Sequence, residues 1–140
     1  SMTPLGADVL DRAAAQAEGS VRRGLMLASS GGLDVAEIAD RLVSNSIFDV
    51  DVAAKLGDAM TAREADIQYQ LLTDHLLQKV VRASQRHAES GDLLRADAMA
   101  NYFEECRQML VEASAFNLDR KQTVFGLISQ LNVRAQAGLL

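Results

Sequence analysis

The chain has 140 residues, and hydrophobic residues make up 49% of them, which is enough apolar material for one domain with a buried core. The net charge of −5 argues against the basic surface by which proteins grip the phosphates of nucleic acids. Aromatic residues reach only 4% and tryptophan is absent, so the core must be built from aliphatic side chains and alanine.

The sequence favours helix throughout and shows little of the alternation typical of strands. Alanine, the strongest helix former, is abundant, and the only proline, Pro4, stands near the start. The first helix is predicted to begin at Thr3, with Pro4 in its first turn, and to run to about Leu27. The abundance of alanine and of arginine over lysine is also typical of bacterial proteins encoded by high-GC genomes.

A second helix is predicted to open at Asp34, with Glu37 three residues later in a capping-box arrangement. From Asp49 to about Glu89 the sequence then shows helical spacing of apolar residues without a proline or a paired turn signal. A continuous helix of this length would span roughly 60 Å. The sequence leaves open whether it is continuous or kinked between Gly57 and Arg63.

The turn Ser90-Gly91-Asp92 predicts the end of this helix and the cap of the next, which runs from Leu93 to about Ala115. A tight turn between two long amphipathic segments indicates an antiparallel hairpin over about 49–115. A fifth helix is predicted after Asn117 or Asp119, and the tail over about 133–140 is expected to fray. The sequence therefore predicts a single all-α domain, 1–140, which is a bundle of four to five helices around the long hairpin.

No constellation of catalytic or metal-binding residues is recognisable. His75 and His87 do not complete the Glu-x-x-His motif of di-iron bundles, since Leu72 and Ser84 occupy the glutamate positions. Cys106 falls on an apolar helical stripe, where a thiol behaves as a small hydrophobic group. We therefore expect no enzymatic activity, no catalytic residues, no metal and no cofactor.

One segment suggests DNA binding as an alternative function. The sequence from Asp34 to Leu42 resembles the first helix of a helix-turn-helix, which would make about 33–57 the reading unit of a transcriptional regulator. The helix that would enter the major groove begins with Asp49 and Asp51, however, and these carboxylates would be repelled by phosphate. A further alternative is a bundle that binds a small molecule or a metal, with His75, Tyr102 or Cys106 lining a cavity.

A wide apolar band within the predicted long helix is the main indication of function. A helix that is apolar over a wide arc must be covered on more than one side, either by its own chain or by another protein. The band is made of aliphatic side chains at Leu71, Leu72, Leu76, Leu77, Val80 and Val81. The leading hypothesis is therefore a non-enzymatic interaction module, such as an adaptor or an assembly or secretion chaperone, that binds a protein partner or forms a homodimer.

The sequence also indicates a cytoplasmic protein. No segment approaches the roughly 20 consecutive apolar residues that a membrane-spanning helix needs. The single cysteine, Cys106, cannot form a disulfide within the chain, which fits a reducing compartment.

Overall fold

Five α-helices make up the part of the chain that a computed structural model describes, residues 33–140. They are α1 (Leu33–Ser44), α2 (Val50–Ala59), α3 (Asp66–Glu89), α4 (Leu93–Ala115) and α5 (Arg120–Gln136), with a 3₁₀ turn over Arg63–Ala65 before α3. The helices pack against one another around a hairpin of α3 and α4, which confirms the predicted all-α bundle. The predicted helix from Thr3 to Leu27 lies outside the described residues.

The single long helix expected from Asp49 to Glu89 is divided in two. Helix α2 ends at Ala59 and α3 begins at Asp66, so the hairpin consists of α3 and α4 alone. Between the helices Ala62 is extended, with φ −62° and ψ 147°, and the Thr61 hydroxyl donates to the Asp58 carbonyl oxygen at 2.6 Å. This break overlaps the stretch from Gly57 to Arg63, where the sequence allows a kink, and extends just beyond it.

Burial explains why the break is favoured. It folds α2 against α5, where Val52 and Leu56 become buried. Each such side chain stabilises the fold by roughly 1.5–3 kcal/mol when it leaves water, whereas each helical hydrogen bond lost at the break costs only about 1 kcal/mol net. Met60 and Ala65, at the two ends of the connection between α2 and α3, are also buried.

The predicted turn between α3 and α4 is confirmed. The Gly91 backbone has a φ of 83°, a left-handed conformation that glycine adopts without steric cost. The Asp92 amide donates to the His87 carbonyl oxygen at 2.8 Å and the Gly91 amide donates to that of Ala88 at 3.1 Å, which is the Schellman arrangement. The Asp92 carboxylate also accepts from the Arg95 amide, as a cap of α4 should.

The same arrangement ends α4 and α5. Asn117 takes the left-handed position after α4, with a φ of 52°, and Gly138 takes it after α5, with a φ of 78°. Helix α5 continues to Gln136 before this cap, whereas the sequence predicted a frayed tail over 133–140. The His87 imidazole Nε2 further bonds the Leu139 carbonyl oxygen at 2.8 Å, which holds the tail against α3.

Side-chain caps also mark the beginnings of α2 and α5. Asp49 caps α2, since its carboxylate accepts from the Val52 amide at 3.1 Å, and Asp119 caps α5 in the same way through the Lys121 amide. Helix α1 already includes Leu33, one residue before the predicted start at Asp34.

Helix α5 packs against α1, α2 and α4. Its buried Asn132 donates to the carbonyl oxygens of Leu42, Val43 and Asn45 at 2.8–3.1 Å, and thereby satisfies the carboxyl end of α1. Helix α2 crosses α5 so closely that a Cβ atom on Gly57 would lie 2.9 Å from a backbone oxygen of α5.

Two arginines of α5 hold the hairpin through its tyrosines. The Arg120 guanidinium lies 4.4 Å from the centroid of the Tyr69 ring on α3, and Arg134 lies 3.5 Å from that of Tyr102 on α4. Such cation–π contacts stabilise by about 0.5–2 kcal/mol each. Both hairpin helices are therefore joined to α5 by cation–π contacts, and these involve the only two tyrosines of the chain.

Candidate functional site

The structure divides the apolar band that sequence reasoning singled out. Leu72, Leu76 and Val80 lie in the core and are no more than 2% exposed. Leu77 is partly buried against the same core, and Val81 is also only partly exposed. Of the whole band, Leu71 alone is well exposed, at 40%. Most of the band is therefore covered by the chain itself and offers little surface to a partner.

Five of the ten large apolar side chains that are exposed in residues 33–140 lie at one end of the hairpin. This is the open end, opposite Gly91, where α3 begins and α4 ends. The side chains there are Ile67 (69% exposed), Leu71 (40%), Val111 (51%), Phe116 (73%) and Leu118 (54%). We refer to these side chains as the open-end surface. Large exposed apolar groups that share one region of a protein mark interaction sites, whereas isolated ones are ordinary.

The register of the hairpin explains why residues so far apart in sequence share this end. The Ser84 hydroxyl donates to the Ala96 carbonyl oxygen at 2.8 Å, so these two residues face each other across the antiparallel helices. Since both helices rise about 1.5 Å per residue, Leu71 comes level with Met109, and Val111 lies only about 3 Å further along the axis. Leu71 and Val111 therefore occupy the same level of the hairpin.

The remaining members of the open-end surface lie just beside this level. Ile67 precedes Leu71 by four residues, so both side chains lie on the same face of α3. Phe116 and Leu118 flank Asn117 in the turn that follows α4. In a Schellman turn the residue after the left-handed position usually packs back onto its helix, yet Leu118 is 54% exposed in that position. Two large apolar groups are thus displayed in a turn where polar residues are common.

Carboxylates predominate around the open-end surface. Asp74 lies one turn beyond Leu71, Glu112 is next to Val111, and Glu64 precedes α3; all three are exposed. Asp74 and Glu112 accept hydrogen bonds from neutral glutamine amides, at 3.0 and 2.9 Å, and within residues 33–140 neither carboxylate forms an ion pair.

The basic groups at this end mostly have partners already. The Arg120 guanidinium pairs with the Asp66 carboxylate at 2.8 Å, and the Lys121 ammonium pairs with that of Asp58 at 3.2 Å. Arg63 in the 3₁₀ turn is a further exposed cation. The apolar side chains are therefore bordered by excess negative charge.

Sequence reasoning missed four of these side chains, and named only Leu71. Ile67 recurs at helical spacing with the other apolar residues of 49–89, but it lies on the side of α3 that faces away from the core. Phe116 and Leu118 carried a usable signal, because they are large apolar residues on either side of a predicted turn residue. Val111 stands outside the apolar stripe of α4, which is a second such signal.

The residues considered for chemistry do not converge on one site. His75 lies between α3 and α1, where its Nε2 is 2.7 Å from an Asp40 carboxylate oxygen that also pairs with the Lys79 ammonium at 3.1 Å. Tyr102 and Cys106 are buried on the side of α4 that meets α5, and the Tyr102 hydroxyl donates to Gln130 Oε1 at 3.1 Å. The first group braces two helices, and the second belongs to the core.

The surroundings of Cys106 argue against a nucleophile. Burial raises the pKa of the Cys106 thiol above its usual value of 9.0, so it stays protonated near neutrality. Burial and the hydrogen bond with Cys106 likewise raise the pKa of Tyr102 well above its ordinary value. Within residues 33–140 no three His, Cys, Asp or Glu side chains come together in a way that could hold a metal ion.

The segment considered for DNA binding forms two helices, α1 and α2, joined by a short linker. Helix α2 would have to enter the major groove, but its apolar face is buried in the bundle. Its exposed side chains include Asp51 and Asp58, and Asp58 is already paired with Lys121. The charge of this face would repel phosphate, which weighs against a reading helix.

Comparison with known proteins yields no matching family model, no matching curated protein and no matching solved structure. Among the described helices, none combines the length and the apolar character required to cross a lipid bilayer.

Proposed function

We propose that this chain is a non-enzymatic protein–protein interaction module that binds its partner through the open-end surface of the hairpin. The observation that carries the proposal is the exposure of Ile67, Leu71, Val111 and Phe116 at the same end of the hairpin. A cytoplasmic setting, in which the Cys106 thiol stays reduced, belongs to the same proposal.

The contacts that hold the two hairpin helices support this role. The helices are closed by a Schellman turn at Gly91 and are joined to α5 through Tyr69 and Tyr102. A surface that is held in place before binding loses little conformational entropy when a partner docks, so more of the contact energy appears as affinity. Central apolar anchors with a polar border are also the usual anatomy of an interface.

Site-specific photo-crosslinking in cells tests the proposal. A photoreactive amino acid at Phe116 should yield a discrete adduct with another protein, and the second substitution Ile67→Asp should abolish that adduct. The matched control is a photoreactive group at Leu94, which is 85% exposed but lies at the other end of the hairpin. The proposal fails when both positions give the same adducts, or when the adduct at position 116 survives Ile67→Asp.

A further inference from the structure

We infer that the partner of the open-end surface is an amphipathic helix with an apolar stripe bordered by lysine or arginine. This inference rests on the proposed function and adds the chemical class of the partner. It follows from the shape of the surface, from its charge, and from what the same charge would do to a second copy of the chain.

The shape favours a helix over an extended peptide. Throughout residues 33–140 the structure contains no β-strand, so no sheet edge in this part of the chain can be extended by a partner strand. Ile67 and Leu71 form a ridge on α3, and Val111 stands on the adjacent helix at nearly the same level. A shallow groove between two antiparallel helices is the surface onto which a third helix packs, with side chains four residues apart fitting between the ridges.

The carboxylates around the open-end surface favour a partner helix with positive charge. Glu64, Asp74 and Glu112 surround the apolar centre and lack a cationic partner in the described structure. Charges at the rim of an interface contribute little affinity one by one, but they speed the encounter of oppositely charged partners and reject partners of like charge. A helix with basic residues beside its apolar stripe satisfies both the centre and the rim.

The same carboxylates disfavour three other partners, namely a second copy of the chain, an anionic lipid surface and a nucleic acid. In a two-fold symmetric dimer the same patch lies on both sides of the interface, so the carboxylate border of one copy, which includes Asp74 and Glu112, would be brought close to that of the other. Like charges brought together across an interface cost affinity. An anionic lipid surface or a nucleic acid would meet the same repulsion.

A pair of synthetic peptides tests the inference on the full chain. Both are helices of about 18 residues with one leucine stripe at the spacing of an amphipathic helix, and they differ only in having lysine or glutamate at the positions that border it. Fluorescence anisotropy of the labelled peptides is measured at about 20 mM and about 200 mM salt. We expect the lysine peptide to bind at least about tenfold more tightly at low salt, and this preference to shrink as salt is added.

Substitutions locate the binding and test the origin of the preference. Phe116→Asp should weaken the lysine peptide at least about tenfold, whereas the control Leu94→Asp, which adds the same charge at the hairpin tip, should not weaken it. The double substitution Asp74→Lys and Glu112→Lys should reverse the preference in favour of the glutamate peptide. All these side chains are exposed, so the fold should tolerate the changes.

The outcomes distinguish the inference about the partner helix from the proposed function as an interaction module. If both peptides bind equally and both need Phe116, the basic partner is ruled out and the interaction module stands. If Leu94→Asp weakens binding as much as Phe116→Asp, or if neither peptide binds, the inference fails, and the photo-crosslinking at position 116 decides the fate of the proposed function. If light scattering shows a dimer that Phe116→Asp dissociates, the occupant is a second copy and the inference is wrong.

Discussion

Gly57 and Gly126 are both glycines within helices, but the structure predicts opposite effects when each is replaced by alanine. In either helix the change removes an unfavourable helix former, which by itself stabilises by about 1 kcal/mol. At Gly126 a new Cβ would have no heavy atom within 4 Å beyond its own helix and chain neighbours, so we expect the full gain. This substitution is therefore the control for the crowded position.

At Gly57 the new Cβ would meet the close crossing of α2 and α5. It would lie 2.9 Å from the Lys121 carbonyl oxygen and 3.3 Å from the Lys121 Cα and Cγ atoms. The nearest atom is backbone and cannot rotate away, so two helices must move apart. Overpacking of this kind costs about 1–3 kcal/mol, which offsets or exceeds the gain in helix propensity. We expect Gly57→Ala to be less stable than Gly126→Ala by about 1–3 kcal/mol.

Urea unfolding followed by circular dichroism at the helical minimum measures both free energies of unfolding. Thermal melts should agree, since a difference of 1 kcal/mol shifts the Tm of a domain of this size by roughly 3 to 4 °C. If Gly57→Ala stabilises the protein as much as Gly126→Ala, then α2 does not cross α5 at this distance. That result would also undermine the explanation given for the break between α2 and α3.

Three more substitutions test other parts of the structure. Asn117→Gly should stabilise by about 0.5–1 kcal/mol because glycine accepts the left-handed φ more easily, while the same change at the exposed mid-helix Asn101 should destabilise by a few tenths of a kcal/mol; equal effects in urea unfolding would argue against the Schellman turn. Asn132→Ala removes the side-chain donor from the Leu42 and Val43 carbonyl oxygens, whereas the Asn45 carbonyl oxygen still accepts from the Gln136 amide. The change should cost about 1–3 kcal/mol, and a loss well below this in the same assay would contradict the buried hydrogen bonds. The pKa of Cys106 is raised in the folded state, so above about pH 9 the unfolded chain loses its proton first and stability falls as the pH rises. Unfolding free energies measured from pH 7 to 10.5 should decline less steeply in Cys106→Ala, and an unchanged slope would show that the thiol is not responsible.

The open-end surface combines an apolar centre with a carboxylate border, and each component can be altered by exposed substitutions that leave the core intact. This separation allows affinity, charge preference and stability to be measured independently.

Most of the helix boundaries could be predicted from the sequence because the capping interactions that form them join residues close together in the chain. A cap such as Asp49, Asp92 or Asp119 bonds an amide only two or three residues away, so its effect depends on neighbouring residues alone. The left-handed Gly91 works in the same local way. The spacing of apolar residues likewise shows which face of a helix is buried, since that face is fixed by the 3.6-residue period.

Long-range packing decided what the sequence left open or predicted wrongly. The helix breaks before Asp66 because α5 offers a place to bury Val52 and Leu56, and nothing in the local sequence shows where α5 will lie. For the same reason the sequence could not distinguish Leu72, which its own chain covers, from Leu71, which remains at the surface. A helical pattern determines which side chains need to be buried, but the arrangement of the neighbouring helices determines which of them are.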